Sequence, residues 1–430
     1  MTPILLEKFL KKYIVPMFTG AELTEHEEKP PAWQKRRVFL HNECEMYVRA
    51  AIASNKYFNL RRSQAFEKAD ADFVECFVEK LHYLGDKVDE GFIEDSINAI
   101  FRRSVAERIA PQNFRERANN IIYIKPLPDT SEFLAKILAQ FEAWAEQTYE
   151  GRKIAAAVGV NATRSSQDGV NLLEIFDKPF GMVLANGLET FLTADAGGHV
   201  VGHEPLNNLP VKNELFSPLR FCHLAEWSKN GRVGIGLTRN GEILVFANEG
   251  LIFAKRRGIW HHFTHNAVVK RMALRGCFYP PICKAVYRTC LDVSFAKTGG
   301  GIALIKRTKM ENFGAVKIVD EKDFLGAKNP KGQFLKTIIG KPFNELDRHL
   351  RQDIVAMDGA TILDYHGNVI AAGAIVEVIA GSDGGGRLAA ARALSKFGLA
   401  IKISSDGGIR GFKGGVKDGQ QVVEEIFTIG

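Results

Sequence analysis

The stretch that decides the fold of the C-terminal third of the chain spans residues 354–412 and reads IVAMDGATILDYHGNVIAAGAIVEVIAGSDGGGRLAAARALSKFGLAIKISSDGGIRGF. Residues 358–360 read Asp-Gly-Ala and come directly before the apolar run 361–363, which predicts a turn that leads into a strand. Residues 384–387 read Gly-Gly-Gly-Arg and open an alanine-rich segment with high helix propensity. We interpret this acid and this glycine-led helix start, on neighbouring strand ends, as a nucleotide site.

The glycine motif has the physical properties of a phosphate cradle. Glycines allow the backbone to approach a ligand closely and to adopt positive φ. The helix that follows offers unpaired amides and the positive end of its dipole, and Arg387 adds a bidentate cation. Alone, the motif is equally consistent with a flexible loop before a surface helix, and Asp358 alone is more consistent with a plain turn. Their occurrence in one α/β segment favours the nucleotide site, because strand ends and helix starts converge on ligands in such folds.

Length and composition predict an ordinary globular protein of two or three domains. The 430 residues exceed the usual size of one hydrophobic core, and 46% of them are hydrophobic. The formal net charge is +7, but the basic clusters at 35–37, 102–103 and 255–257 are scattered and indicate solvated surface. The charge therefore disfavours a dedicated nucleic-acid binder and permits phosphate-rich small molecules as ligands.

Cysteine and histidine spacing gives no sign of a zinc site or of a disulfide framework. The six cysteines lack paired two-residue spacings. His261, His262 and His265 point in different directions on either a helix or a strand, so we interpret them as structural. Charged residues interrupt the apolar N-terminus, and Glu377 interrupts the longest apolar run. We expect no membrane anchor and a cytoplasmic location.

Three regions follow one another along the chain. Residues 1–150 carry helical stripes and predict a helical region. Residues 151–270 carry short apolar runs, including 181–184, 233–237 and 243–246, with an Asn-Gly pair that predicts a hairpin at 238–242. We expect this β-rich region to be a sensor or purely structural.

Residues 280–425 predict a mixed-sheet α/β domain. A helix over 282–295 precedes a strand over 302–305, and a loop-rich insert over 309–331 follows. A short helix opened by Pro342 then leads into the 354–412 stretch. The order of strands and helices is that of a mixed α/β fold.

This last region resembles the diadenylate cyclase (DAC) domain family, which condenses two ATP molecules into cyclic di-AMP. The resemblance lies in four places: the strand 301–305, the Asp-Gly-Ala motif, the small-residue strand 371–374, and the closing strand with its acidic turn at 399–408. The family also has a Gly-Thr-Arg-His-Arg motif that opens a helix, and its first three positions fall on Gly385, Gly386 and Arg387.

The chain departs from the family at the second half of that motif. Leu388 stands where the family has histidine, Ala389 where it has the second arginine, and Gly386 where it has threonine. In the family, the residues at these three positions contact ATP phosphates or help to organise the metal. The resemblance therefore implies that the departures weaken or abolish catalysis. Arg392, one turn beyond Leu388, is a hypothetical replacement for the lost charge.

The resemblance implies a set of site residues and partners. Asp358 and Arg387 are the expected catalytic residues, and Mg²⁺ or Mn²⁺ is expected at Asp358, with ATP as substrate. Asp406 is a weaker second metal ligand, because its neighbouring glycines also suit a plain hairpin. The expected nucleotide-binding residues are Gly359, Ala360, Gly373, Gly384, Gly385, Gly386 and Arg392.

One such domain carries half of an active site, so activity implies self-association, gated by the N-terminal sensor region. The main alternative is a catalytically weakened DAC-like domain that binds ATP or a cyclic dinucleotide as a sensor. A cyclase for other nucleotides and a non-specific nucleic-acid binder are further alternatives.

Overall fold

Helices and sheets alternate along the chain, and a computed structural model places them in a mixed α/β arrangement. The structure describes residues 1–26, 36–50, 56–84, 93–110, 130–161, 169–185, 189–206, 215–248, 250–276, 278–377, 385–417 and 419–430. The chain divides into two units. Unit 1 contains Met1–Arg61 and Phe66–Phe263, and unit 2 contains Arg62–Ala65 and Thr264–Gly430.

Unit 1 begins with a helical segment and a four-stranded antiparallel sheet. The sheet has the order β1-β4-β3-β2, with strands at β1 (Glu22–His26), β2 (Val38–Asn42), β3 (Glu45–Arg49) and β4 (Tyr57–Arg61). This sheet lies within residues 1–150, which the sequence predicts to be helical. The strands are only five residues long and the exposed β1 has no apolar alternation, so periodicity gives little signal for them.

The helices of this part carry the predicted apolar stripes, which face one large core. They are α1 (Pro3–Phe9), continued through Leu10–Ile14 and Val15–Met17, then α2 (Lys68–Leu84), α3 (Ile93–Ile109) and α4 (Thr130–Ala145).

A seven-stranded mixed sheet forms the rest of unit 1, in the order β13-β12-β11-β10-β7-β8-β9. Only the β7–β8 pair is parallel among these pairings. Its strands, with the preceding short hairpin β5–β6, are β5 (Thr148–Tyr149), β6 (Arg152–Lys153), β7 (Ala156–Asn161), β8 (Thr190–Asp195), β9 (Val200–Pro205), β10 (Arg232–Leu237), β11 (Ile243–Ala247), β12 (Gly250–Arg256) and β13 (Ile259–His262).

The predicted hairpin between β10 and β11 is present. Leu237 pairs with Ile243, the Thr238 N–H donates to Glu242 O at 2.9 Å, and Gly241 has a φ of 75°. The helices between the strands are α5 (Leu172–Phe176), α6 (Pro179–Leu184) and α7 (Cys222–Trp227), with a 3₁₀ turn at Leu219–Phe221. The predicted strand at 181–184 is therefore wrong. Four apolar residues fit either element, and a proline at the first helical position favours the helix.

The histidines of the 261–265 cluster have separate hydrogen-bond partners. His262 Nδ1 lies 2.6 Å from Asp70 Oδ1, and His261 Nδ1 lies 3.1 Å from Thr19 Oγ1, both within unit 1. Burial lowers the pKa of His261 to about 4, so its imidazole is neutral at pH 7. His265 belongs to unit 2, where its Nδ1 lies 2.9 Å from the Tyr287 hydroxyl.

Unit 2 contains a six-stranded mixed sheet in the order β16-β15-β14-β17-β18-β19, in which only β14 and β15 pair in parallel. Its strands are β14 (Gly300–Ile305), β15 (Ala360–Leu363), β16 (Val369–Ala374), β17 (Gly398–Ile403), β18 (Ile409–Lys417) and β19 (Gln420–Ile429). Its helices are α8 (His265–Gly276), α9 (Pro280–Ala296), α10 (Met310–Val316), α11 (Pro330–Ile338), α12 (Arg348–Ala356) and α13 (Gly386–Ser395).

Helices cover both faces of this sheet. Leu388 and Leu394 of α13 share an apolar core with Ala303 and Ala400 of the sheet. Side chains alternate between faces along a strand, and the Thr361 hydroxyl donates to the backbone of α12 at 2.9 Å from the opposite face. The layers are therefore α12 on one side and α13 on the other.

A buried ion pair joins α9 to α12. The Arg348 guanidinium donates to both carboxylate oxygens of Asp292 at 2.8 and 2.7 Å, and the two side chains are 2% and 0% exposed. The helix begins at Arg348, where Asp347 caps it, and Pro342 opens only the 3₁₀ turn Phe343–Glu345. The sequence predicts the start of this helix about six residues too early, because proline is favoured at the start of an α-helix and can equally open a 3₁₀ turn.

Candidate functional site

A cavity of about 500 Å³ lies between the start of α13 and one edge of the unit 2 sheet. The amino ends of the parallel strands β14 and β15 meet there with the carboxyl ends of the antiparallel strands β16 and β17. Its lining residues are Gly301, Ile302, Asp358, Gly359, Ala360, Ala374, Ile375, Val376, Gly385, Gly386, Arg387, Ala390, Ala391, Leu394, Ala400, Ile401, Lys402, Ser404 and Ser405. The structure thus brings the two motifs of the 354–412 stretch to one site.

The Asp358 turn leads from α12 into β15 and presents an exposed carboxylate to the cavity. Asp358 Oδ1 accepts a hydrogen bond from the Gly359 N–H at 3.1 Å. Gly359 has a φ of 101°, and a Cβ at this position would lie 2.6 Å from the backbone oxygen of Ala374. Glycine is therefore required at 359 by both its conformation and the close approach of β16. Ala360, the first residue of β15, is buried.

A bulge in β16 supports this turn from behind. Ala360 pairs with Ala374 and Ile362 with Ala371, so one extra residue lies on β16 between the two pairs. Gly373, in this bulge, has a φ of 57°, and a Cβ there would lie 3.0 Å from the backbone oxygen of Asp358. Gly373 is outside the lining, so its role is to place Asp358 rather than to contact a ligand.

A half-buried ion pair fixes the bulge. Lys331 Nζ lies 2.7 Å from Asp323 Oδ1 and donates to Gly373 O at 2.6 Å. The other oxygen of Asp323 accepts from the N–H of Ile375, which lines the cavity, at 3.1 Å. Neither charged residue is recognisable as part of the site from the sequence, because both lie in the insert at 309–331, about 40 residues or more before the strand that they hold.

The glycine-led start of α13 forms the second wall. Gly385 has a φ of 83° and stands at the N-cap position, where a bulkier residue would be strained. No described atom lies within 4 Å of a Cβ built at Gly385 or Gly386, so the cavity is open beside both. The amides of Gly386 and Arg387 have no intrahelical acceptor, as at every helix start. Gly384 lies outside the described residues.

Two cations line the cavity. Arg387 lies against Gly299, where a Cβ would be 2.4 Å from Arg387 Nη1, so the missing side chain leaves room for the guanidinium. Lys402 extends from β17, opposite Gly301 of β14. Neither the Arg387 nor the Lys402 side chain forms a hydrogen bond or an ion pair with any described residue. Lys402 was not among the predicted site residues, although it is the only charged residue in the otherwise apolar strand β17 and this signal is visible in the sequence.

Several predicted site residues are not brought to the cavity. Arg392 is exposed and is not among the lining residues, which on α13 are Gly386, Arg387, Ala390, Ala391 and Leu394. Asp406 is exposed outside the lining, and its Oδ1 accepts from the Gly408 N–H at 3.3 Å within the turn between β17 and β18. Leu388 and Ala389 are buried, so their side chains belong to the interior of the unit.

The ligand set for a metal is small. Among the described residues, no group of three or more His, Cys, Asp and Glu side chains could hold a metal ion. Asp358 is the one carboxylate among the described lining residues. A single exposed carboxylate fits Mg²⁺ when substrate phosphates and water supply the other ligands, and Mn²⁺ accepts the same oxygen donors.

Comparison of the sequence with protein-family models and with curated proteins found no match. Within the described part of the chain, no helix has the length and apolar character that are needed to cross a membrane.

Proposed function

We propose that unit 2 is a diadenylate cyclase, which condenses two ATP molecules into cyclic di-AMP and releases two molecules of pyrophosphate. The observation that carries the proposal is the convergence of the Asp358 turn and the start of α13 on one cavity. The cavity volume of about 500 Å³ falls within the range of pockets that bind small molecules and cofactors.

Each wall has a role in binding ATP. The amides at the start of α13 and the Arg387 guanidinium bind phosphate oxygens, since a helix N-terminus and an arginine both favour anions. Ile375, Val376 and Leu394 supply apolar surface for a nucleotide base. Gly359 and Gly385 allow the backbone to approach the ligand.

Asp358 is the residue that holds Mg²⁺ or Mn²⁺, and a bound divalent ion neutralises charge on the phosphates. The 3′-oxygen of one ATP forms a bond to the α-phosphorus of the other, and the bond from that phosphorus to the bridging oxygen breaks. Pyrophosphate leaves, and the hydroxyl proton passes to solvent. The protein contributes mainly alignment of the two nucleotides and charge stabilisation.

Because one cavity binds one ATP in this proposal, two copies of the chain supply the complete site. Self-association therefore belongs to the proposed function. Unit 1, a compact unit with its own core, is proposed as the sensor that controls this association. A cytoplasmic location would supply the ATP.

The test is to incubate the full-length protein with ATP and Mg²⁺ or Mn²⁺ and to identify products by mass spectrometry. Asp358→Asn should abolish cyclic di-AMP, because an amide is a poor ligand for a divalent cation. Asp353→Asn is the matched control, since Asp353 is exposed on α12 and lies outside the lining. Equal activity of wild type and Asp358→Asn would reject the metal-binding role of Asp358. A cyclic dinucleotide product from GTP would identify GTP rather than ATP as the substrate.

One observation favours a second candidate, a sensor that binds ATP or a cyclic dinucleotide without turnover. The positions where the DAC family has histidine and a second arginine hold Leu388 and Ala389, which are buried here. ATP binding without product under either metal would favour the sensor over the cyclase.

A further inference from the structure

Lys402 is a charged residue on a strand whose other residues are apolar. Within β17 it is partly buried, and the other five residues of the strand are buried. It pairs with Gly301, which has no side chain to cover it. Alternation along the strand places Lys402 on the same sheet face as Ala400, which is the face that packs against α13. Its side chain therefore extends over the sheet towards the cavity that it lines.

The described lining of the cavity carries an excess of positive charge. Its charged residues are Asp358, Arg387 and Lys402, which sum to one net positive charge. On the neighbouring strand β18 the partner of Lys402 is Arg410, whose charge is balanced by its own ion pair with Glu425. Glu425 therefore pairs with Arg410 and not with Lys402, and an anion in the cavity would pair with Lys402 and Arg387.

We infer that Lys402 is a phosphate-binding residue that acts together with Arg387, and that their shared ligand is the triphosphate chain of ATP. The inference rests on the proposed nucleotide site. Lys402 supplies, from a strand, positive charge that the helix lacks at Leu388 and Ala389. Because the two cations extend from different elements, they bind different oxygens of an extended polyphosphate. Affinity should therefore increase with the number of phosphates.

The experiment is isothermal titration of the full-length protein with ATP, AMP and inorganic tripolyphosphate. Lys402→Met should weaken binding of ATP and tripolyphosphate about tenfold or more, which is the scale of one lost charge-assisted hydrogen bond. AMP binding should change less, and Lys402→Arg should retain most of the affinity. Lys396→Met is the matched control, because Lys396 is an exposed lysine after α13 that does not line the cavity.

The outcomes separate this inference from the cyclase proposal. Unchanged ATP and tripolyphosphate binding by Lys402→Met, with wild-type binding intact, would overturn the role of Lys402 and leave the cyclase proposal standing. Lys402-dependent binding without cyclic di-AMP would support the role of Lys402 and reject the cyclase. Absence of binding of both ligands by the wild type would overturn both. Lys402→Met should fold at least as stably as wild type, and Lys402→Gln repeats the test with a polar side chain.

Discussion

Replacement of Gly359 by alanine should destabilise unit 2 and move the Asp358 carboxylate. Gly359 has a φ of 101°, and alanine in the left-handed region costs about 1–2 kcal/mol. The new Cβ would also lie 2.6 Å from both Ala374 O and Gly373 C, which are backbone atoms of β16. Forcing these strands apart costs about 1–3 kcal/mol, as other overpacking does. The sum is about 2–5 kcal/mol, a large part of an ordinary domain's stability.

Substitutions at two other glycines separate the cost of the positive φ from the cost of the close approach to β16. Gly385 has a φ of 83° but no described atom within 4 Å of its Cβ position, so Gly385→Ala should lose only about 1–2 kcal/mol. Gly314, within α10, has open space and no positive φ. Gly314→Ala should therefore stabilise the unit by about 0.5–1 kcal/mol.

The assay must report on unit 2 alone. All four tryptophans precede residue 264, so tryptophan fluorescence follows unit 1 and serves as an internal control. Hydrogen exchange of the β14 and β15 amides, read by mass spectrometry, follows unit 2 and should accelerate about tenfold for each 1.4 kcal/mol lost. Under the proposed function, ATP titration reports the displacement of Asp358. If Gly359→Ala exchanged no faster than Gly385→Ala, the close approach of the Asp358 turn to β16 would be refuted.

Three further predictions concern charged or titratable side chains. Arg348→Met should destabilise unit 2 by about 3–5 kcal/mol, because it removes the guanidinium that donates to both oxygens of the buried Asp292 carboxylate. Arg410→Met, at a partly exposed pair, should cost at most about 1 kcal/mol; hydrogen exchange compares the two variants, and equal losses would contradict the difference. Lys331→Met should weaken ATP binding and loosen β16 by about 1–3 kcal/mol, and unchanged titration would disprove its support of the site. As pH falls from 6.5 towards 4, the unfolded chain protonates His261 before the folded chain does, so this histidine alone should cost unit 1 about 3 kcal/mol, and His261→Gln should remove that part of the loss in fluorescence-monitored urea unfolding.

Elements that depend on a few neighbouring residues could be predicted from the sequence. The hairpin at 238–242 follows from an Asn-Gly pair, and the start of α13 follows from a glycine run before alanines. The four-stranded sheet of unit 1 and the helix Pro179–Leu184 were not predicted, because each depends on a few residues whose pattern fits more than one element. Tertiary packing decides such cases.

The site shows the same division between local and distant causes. Asp358, Gly359 and Arg387 are recognisable because each belongs to a short motif, and the structure places them at one cavity. Lys331 and Lys402 were missed, because their importance depends on which strand they reach in the folded chain. No spacing in the sequence encodes that proximity.

The burial of Leu388 and Ala389 limits which substitutions unit 2 tolerates at these two positions. Their side chains are 4% and 6% exposed, so a histidine or an arginine at either position would bring a polar group into the interior before it reached any ligand. A single substitution to histidine at 388 or to arginine at 389 would thus lose stability. Variation in the chemistry of the cavity is therefore confined to positions that already face it, such as Lys402 and Ser404.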